Sequence, residues 1–465
     1  MHSRKRYFCP VSGEMMTRTA LLAALATAAL ALAVLAYYML QPRLPRAKAR
    51  VVVDTNHALH FKDLRGANDG PFSPRGWDQA LTLNLSSQYA QLGFRALRFH
   101  DLWRVDELDT IFPDPHADPE DSRSYNFSGL DRCVAEAVKH ADLLILRIGF
   151  DWNDPPKNKP HVEVGKLAEV VKHIVLHYTK GWANGFNLPA SSLWIEVWNE
   201  PDIQQFWGLS SGEYFELYDT IARAVKEANP DVRVGGPAIA FNLTFLDAFL
   251  EHVKRAGAPL DFVSWHVYAT EPADVVERAR QVKRLMEKHG FGHLPSVLTE
   301  WNYWWDREPW DFFRSQRVAA FQAATLIELE DAPVDVATLY RGDAWNWGGL
   351  FYRDGTPGKP FYVWLAYRRL VEGAKRLESS VVRLEPGAAR GLRVLAGLGS
   401  EGVLRLLVVN YADEEVAYEV EAEGYAVQRI LVLDEKNDLS EVSVCEDSIC
   451  VIGPYAVHLV ELARR

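Results

Sequence analysis

Cysteine is scarce in this chain, with four in 465 residues. Positive charge is also in deficit: 51 Lys and Arg stand against 62 Asp and Glu, for a net charge of −11. Nothing offers the basic surface that displaces counterions from a phosphate backbone, which excludes a nucleic-acid partner. No GxGxxG or GxxxxGKS/T follows the first strand candidate, so the phosphate cradle of nucleotide-binding folds is missing. No HExxH or comparable His/Cys cluster occurs, and neither a metal nor another cofactor is expected. Tryptophan is absent after Trp364 although the chain holds 15, so the composition changes near residue 370. A hydrophobic share of 48% and a charged share of 24% are ordinary for a folded protein. They exclude a disordered chain and a polytopic membrane protein.

One long apolar run is present. Thr19 to Leu40 is 22 residues without a charge. As a helix it is about 33 Å long, enough for a hydrocarbon core of about 30 Å. It is long for a secretory apolar segment, and Tyr37 and Tyr38 sit where an interfacial aromatic belt would. The expectation is a transmembrane signal anchor over 19–40, after a short cytoplasmic tail over 1–18 and before a linker over 41–55. A cleaved signal or a buried helix are the alternatives. Basic residues flank both sides almost equally, so charge does not set the orientation. Cys445 and Cys450 lie in a hairpin-like stretch where a disulfide or two free thiols are open readings. A disulfide requires an oxidising compartment. The expected location is therefore the cell membrane, single-pass, with the large domain outside the cytoplasm.

Beyond the linker, short apolar runs alternate with amphipathic ones. Strand candidates are Phe61–Ala67, Ala96–Leu102, Leu143–Phe150, Ser192–Trp198, Arg233–Ile239, Asp261–Tyr268, Ser296–Trp301 and Val336–Arg341. Helical patterns such as Val164–Tyr178, Gly212–Ala228 and Ala273–His289 lie between them. Eight strands alternating with helices predict an α/β fold of the (β/α)8 TIM-barrel kind over 56–372. From about Ser379 the pattern turns to short strands divided by turn residues, which predicts a β-sandwich accessory domain over 373–465. Val51–Asp54 is a further strand candidate for that module.

Chemistry in such a barrel sits at the C-terminal strand ends. The fourth strand ends in Asn199-Glu200-Pro201, and the seventh carries Glu300. The two carboxylates are 100 residues apart, so only a closed sheet brings them face to face. A protonated and an ionised carboxyl across a cleft are what glycoside hydrolysis requires. The two-residue period of strands puts Arg98 with His100 on one face, Glu196 with Trp198 and Glu200, and Ser264 with His266 and Tyr268. Glu196 reads as a buried structural carboxylate needing Arg98 or Arg147. Arg98 is read evenly as its partner or as a support for Glu300.

The segments IEVWNEPDIQQFW and VLTEWNYWW resemble the two catalytic stretches of glycoside hydrolase family 39. ALRFHDLW on the second strand and DFVSWHVYA on the sixth are similar to it too. That family holds β-xylosidases and α-L-iduronidases on retaining (β/α)8 barrels. The resemblance implies Glu200 as general acid/base and Glu300 as nucleophile. It implies that Asn199 bonds the sugar 2-hydroxyl, that Tyr268 donates to Glu300, and that His266 and His100 line the sugar site.

Nine Trp lie at or just beyond strand ends, and indole faces match the C–H faces of pyranose rings. Trp345 is the chosen stacking platform. Arg341 is a candidate for a uronate carboxylate. The expected function is a membrane-anchored retaining glycoside hydrolase acting on an oligo- or polysaccharide substrate. A non-catalytic glycan-binding protein and a transglycosylase in polysaccharide assembly are the alternatives.

Overall fold

The computed structural model describes residues 21, 23–30, 32, 46–75, 80–446 and 448–465. Residues 47–465 form one compact unit, and the preceding 46 residues form another. In the first unit, residues 23–30 are helical. Most of the span expected over 19–40 lies outside the described residues. Among the described residues, no helix is long and apolar enough to cross a membrane.

Eight parallel strands close into a barrel. In chain order they are Gly66–Asn68, Ala96–Phe99, Leu143–Ile148, Leu193–Val197, Arg233–Ile239, Phe262–Ala269, Ser296–Tyr303 and Val336–Leu339. Seven lie within or close to their sequence candidates, because strands covered by helices outside read as continuous apolar runs. The first, expected over Phe61–Ala67, is instead the short Gly66–Asn68 and shares only Gly66 and Ala67 with that run. The helices between them are fixed by local chemistry. Ser211–Ala228 begins with a capping box, in which Glu213 accepts from the Ser210 amide at 2.8 Å and its own amide donates back to the Ser210 hydroxyl. Its Tyr214, Leu217, Tyr218, Ile221 and Val225 then bury one stripe against the sheet.

The barrel interior is layered. At the N-terminal end Ile145, Trp194, Phe262 and Val297 make an apolar plug, with Trp194 stacked on Phe262 at 5.1 Å. Two residues further along the same strands come Arg147, Glu196, Ser264 and Thr299, all fully buried. The apolar floor thus carries a polar layer directly below the C-terminal mouth.

The second sheet has ten strands among the described residues. The linker expected over 41–55 ends at Ala49. There Ala49–Leu59 forms a strand, antiparallel to Lys375–Arg383 and parallel to Val416–Ala422. Its alternating Ala49, Val51 and Val53 are buried in the sheet's own core with Leu406, Tyr418 and Ile452. The β-module is therefore built from both sides of the barrel sequence. Its opposite face, including Leu407, Leu431 and Leu459, joins the main core of the barrel. Cys445 and Cys450 are joined as a disulfide across the strand pair Cys445–Glu446 and Ile449–Ile452.

Candidate active site

Glu200 and Glu300 come together at the C-terminal mouth. One oxygen of each and a ring nitrogen of His266 lie within 4.8 Å of one another. Different local devices aim the two carboxylates. The fourth strand stops at Val197, and Trp198 and Glu200 both take left-handed backbone angles, φ 71° and 42°. The face shared by Glu196, Trp198 and Glu200 on a regular strand therefore does not extend past Val197. Trp198 packs instead against Phe150 and Trp207, and its indole donates to the Phe206 carbonyl at 2.7 Å. The Glu200 amide donates to the carbonyl of Ala238, itself at φ 53°, at 3.0 Å, which holds the turn. Such conformations cost free energy in non-glycine residues and persist where the surroundings enforce them.

On the seventh strand the register shifts between Leu298 and Glu300 against the sixth strand, and between Leu298 and Trp301 against the eighth. This irregularity lets two successive residues face inward. Thr299 reaches His266 Nε2 at 3.2 Å, while Glu300 meets Arg98 and Tyr268. Strict alternation from Val297 keeps Thr299 inside and would turn Glu300 outward, so the inward turn of Glu300 is the product of this irregularity.

Arg98 is the hub. Its guanidinium donates to Glu196 at 2.6 Å, Glu300 at 2.7 Å, Asn199 Oδ1 at 2.6 Å and Asn68 Oδ1 at 3.0 Å. It thus fills both roles left open for it, partnering Glu196 and supporting Glu300. Because Asn199 turns its oxygen to Arg98, its amide NH2 is left without a protein partner while 1% exposed. That donor is available to a ligand. The Tyr268 hydroxyl donates to Glu300 Oε2 at 2.6 Å, and His266 Nδ1 stands 2.8 Å from Glu200 Oε1.

Electrostatics separates the two carboxyls. Burial, with the negative charge of Glu300 next, pushes Glu200 well above the usual carboxylate range. Burial also raises Glu300, but Arg98 and the Tyr268 hydroxyl pull it back. Arg98 and Tyr268 both donate to Glu300, which favours its ionised form and a shared proton on Glu200. Burial, with the arginines around it, holds His100 well below its ordinary range. Its Nδ1 accepts from Arg147 Nε at 3.1 Å, so the imidazole proton is on Nε2, which lies 3.6 Å from Glu300 Oε1.

His100, Asp101 and Asp151 also bring ligand atoms within 4.8 Å of one another. Arg147 donates to Asp151 at 2.6 Å and the Tyr340 hydroxyl to Asp101 at 2.5 Å, so this cluster is already supplied with donors. Arg341 binds Asp343 through Nε at 2.8 Å and Nη2 at 2.7 Å, and lies 3.1 Å from Asp69. Trp345 is half-buried at the mouth, 4.9 Å from Trp103. Trp265 and Trp301 are fully buried core residues. A hollow of about 490 Å3 opens at the opposite, N-terminal mouth, among Lys62, Asp63, Arg65 and Asp335, far from these carboxylates.

The molecule is thus a (β/α)8 barrel with a buried carboxylate pair at its C-terminal mouth. Residues 62–341 match the model of glycosyl hydrolases family 39, and the chain belongs to that family. A β-xylosidase from Geobacillus stearothermophilus is 29% identical over 249 residues, covering 46% of this chain and 47% of that protein. A β-xylosidase from Caldicellulosiruptor saccharolyticus is 27% identical over 309 residues, covering 58% of each. The chain thus spans about half the length of these curated relatives. A glucosidase from Croceicoccus marinus shares the fold with a TM-score of 0.74 at 23% identity, over 90% of this chain and 100% of that one.

Proposed function

We propose that this protein is a retaining glycoside hydrolase. The observation that carries the reading is the approach of Glu200 and Glu300 to within 4.8 Å in unlike environments. Retaining enzymes hold their carboxyls about 5–5.5 Å apart, whereas inverting enzymes leave about 6.5–9.5 Å for a water. Glu300 attacks the anomeric carbon, and the bond to the leaving oxygen breaks as that oxygen takes the Glu200 proton. Water then attacks the glycosyl-enzyme, gives its proton to Glu200 and frees Glu300. Arg98 and Tyr268 keep the nucleophile ionised and oriented. Asn199 and His100 offer N–H donors to sugar hydroxyls, and Trp345 a stacking face.

The substrate is a neutral pyranoside of the xyloside or glucoside kind. Arg341, the basic candidate for a uronate, is bidentate on Asp343 and close to Asp69, which supports the neutral sugar. The 19–40 segment anchors the enzyme to the membrane with the barrel outside the cytoplasm. The Cys445–Cys450 disulfide supports that placement, since such bonds persist in oxidising compartments.

The test is a panel of aryl glycosides together with a 2-fluoro glycoside trap read by mass spectrometry. A stable adduct on Glu300 is expected, and Glu300→Gln abolishes both adduct and turnover. Full turnover in Glu300→Gln overturns the mechanism. Fractionation of cells expressing the full chain, with protease added from outside, reports anchoring and sidedness.

A further inference from the structure

The two mouths of the barrel differ in their exposed apolar residues. Among the described barrel residues the large exposed ones are Val138, Trp152, Leu209, Phe241, Trp304 and Tyr352. All but Val138 lie in loops that follow the C-terminal end of a barrel strand. Exposed aromatics confined to one rim mark a binding surface rather than leftover core.

Two of them connect to the carboxylate pair through packed rings. Trp152 follows the third strand and is 62% exposed. Its ring meets Phe206 at 5.8 Å, and Phe206 meets His100 at 5.7 Å, next to Glu300. Its backbone N–H is held by Asp101 at 2.8 Å. Trp304 follows the seventh strand and is 50% exposed. Its ring meets Tyr268, the donor to Glu300, at 6.4 Å, and its backbone N–H is held by Ala269 at 2.9 Å. Third and seventh strands stand opposite each other in a closed barrel of eight. An anchored, solvent-facing indole therefore stands on each side of the reacting carboxylates.

We propose that Trp152 and Trp304 carry sugar units on the two sides of the reacting bond, so that the enzyme cleaves internal linkages of a β-linked oligosaccharide chain. This rests on the glycosidase reading above and adds the length of substrate and the mode of attack. An enzyme that removes terminal sugars needs apolar stacking on one side of the reacting unit and a wall on the other. Platforms on both sides hold a chain that runs across the mouth. The occupant is a glycan because the platforms are continuous with the carboxylate pair and with the N–H donors of Asn199 and His100.

The experiment uses the full chain with end-labelled xylo-, cello- and manno-hexasaccharides and the matching aryl monoglycosides. Internal fragments are expected before any single sugar accumulates. In Trp152→Ala and Trp304→Ala the ratio of hexasaccharide to aryl-glycoside kcat/KM is expected to fall about tenfold, the effect of one lost stacking contact. Trp→Phe at either position restores part of it, and thermal melts confirm that each variant is folded. Stepwise release of one terminal sugar overturns the proposal, as does an equal loss on both substrate classes. Turnover of aryl glycosides with no cleavage of any hexasaccharide overturns it as well. If no glycoside of any kind is hydrolysed, the glycosidase reading itself fails and takes this inference with it.

Discussion

The Nδ1 atom of His266 lies 2.8 Å from Glu200 Oε1, and the opposite ring nitrogen lies 3.2 Å from the Thr299 hydroxyl. Burial holds this imidazole neutral, so it carries one proton and its two neighbours compete over which nitrogen bears it. With the shared proton on Glu200, the carboxyl donates to Nδ1 and Nε2–H donates to the Thr299 hydroxyl. Thr299→Val removes that acceptor and favours the tautomer protonated on Nδ1, which donates to Glu200 and favours its ionised form. The alkaline limb of kcat/KM against pH is then expected to move to lower pH, and Thr299→Ser to restore it. An unmoved limb in Thr299→Val refutes the relay.

Tyr268 acts on the other carboxyl. Its hydrogen bond lowers Glu300, against the rise that burial imposes. In Tyr268→Phe the anion loses a charge-assisted bond, so Glu300 takes up its proton at higher pH. The acid limb is expected to move up by about one pH unit. A profile that falls in height without moving shows that Tyr268 serves position alone.

Glu200 is expected to cost stability at neutral pH. Its folded-state affinity for a proton is raised well above that of the unfolded chain. Between those two values the native state binds more protons, so stability falls as pH rises. Glu200→Gln removes this penalty and raises Tm at pH 7 by about 2–4 °C. Near pH 4, where both forms are protonated, the difference vanishes. A lower Tm at pH 7 contradicts the assignment of the proton to Glu200.

The Cys445–Cys450 bond closes a short loop. By loop-closure entropy it contributes about 2 kcal/mol to the β-module. The double Ser variant is expected to melt earlier while keeping kcat, because the bond lies in the β-module and not at the barrel mouth. Parallel loss of kcat at temperatures well below melting shows that the module transmits strain to the site.

Tyr411 of the β-module donates to the Thr270 carbonyl at 2.5 Å, two residues beyond Tyr268. Tyr411→Phe is expected to cost about 1 kcal/mol of stability. Differential scanning calorimetry of the full chain reads it.

Much of the barrel was legible because burial patterning is local. An apolar strand followed by an amphipathic helix reads the same in sequence and in space, as at Arg233–Ile239, where both agree to the residue. For Arg98, His266 and Tyr268 the two-residue period gave the face of the strand, while the roles expected of His100, His266 and Tyr268 came from the resemblance of their segments to family 39. The part of Ala49–Leu59 that precedes Val51 read as linker because its partners lie more than 300 residues away. Asn68, Thr299 and Phe206 carried no local signal, because each matters only through what it touches.

The number and order of the barrel elements, and the place of Glu200 and Glu300 near the C-terminal ends of two strands, could be read from short segments, because side-chain type and periodicity are local properties. Which way those carboxylates point was decided only by tertiary structure. The left-handed turn at Trp198 and Glu200 is held by Ala238 of the next strand, and the irregularity at Thr299 and Glu300 is set by strands on either side. The ionisation of the pair was likewise a tertiary outcome, because burial and the reach of one guanidinium across the barrel depend on closure of the sheet.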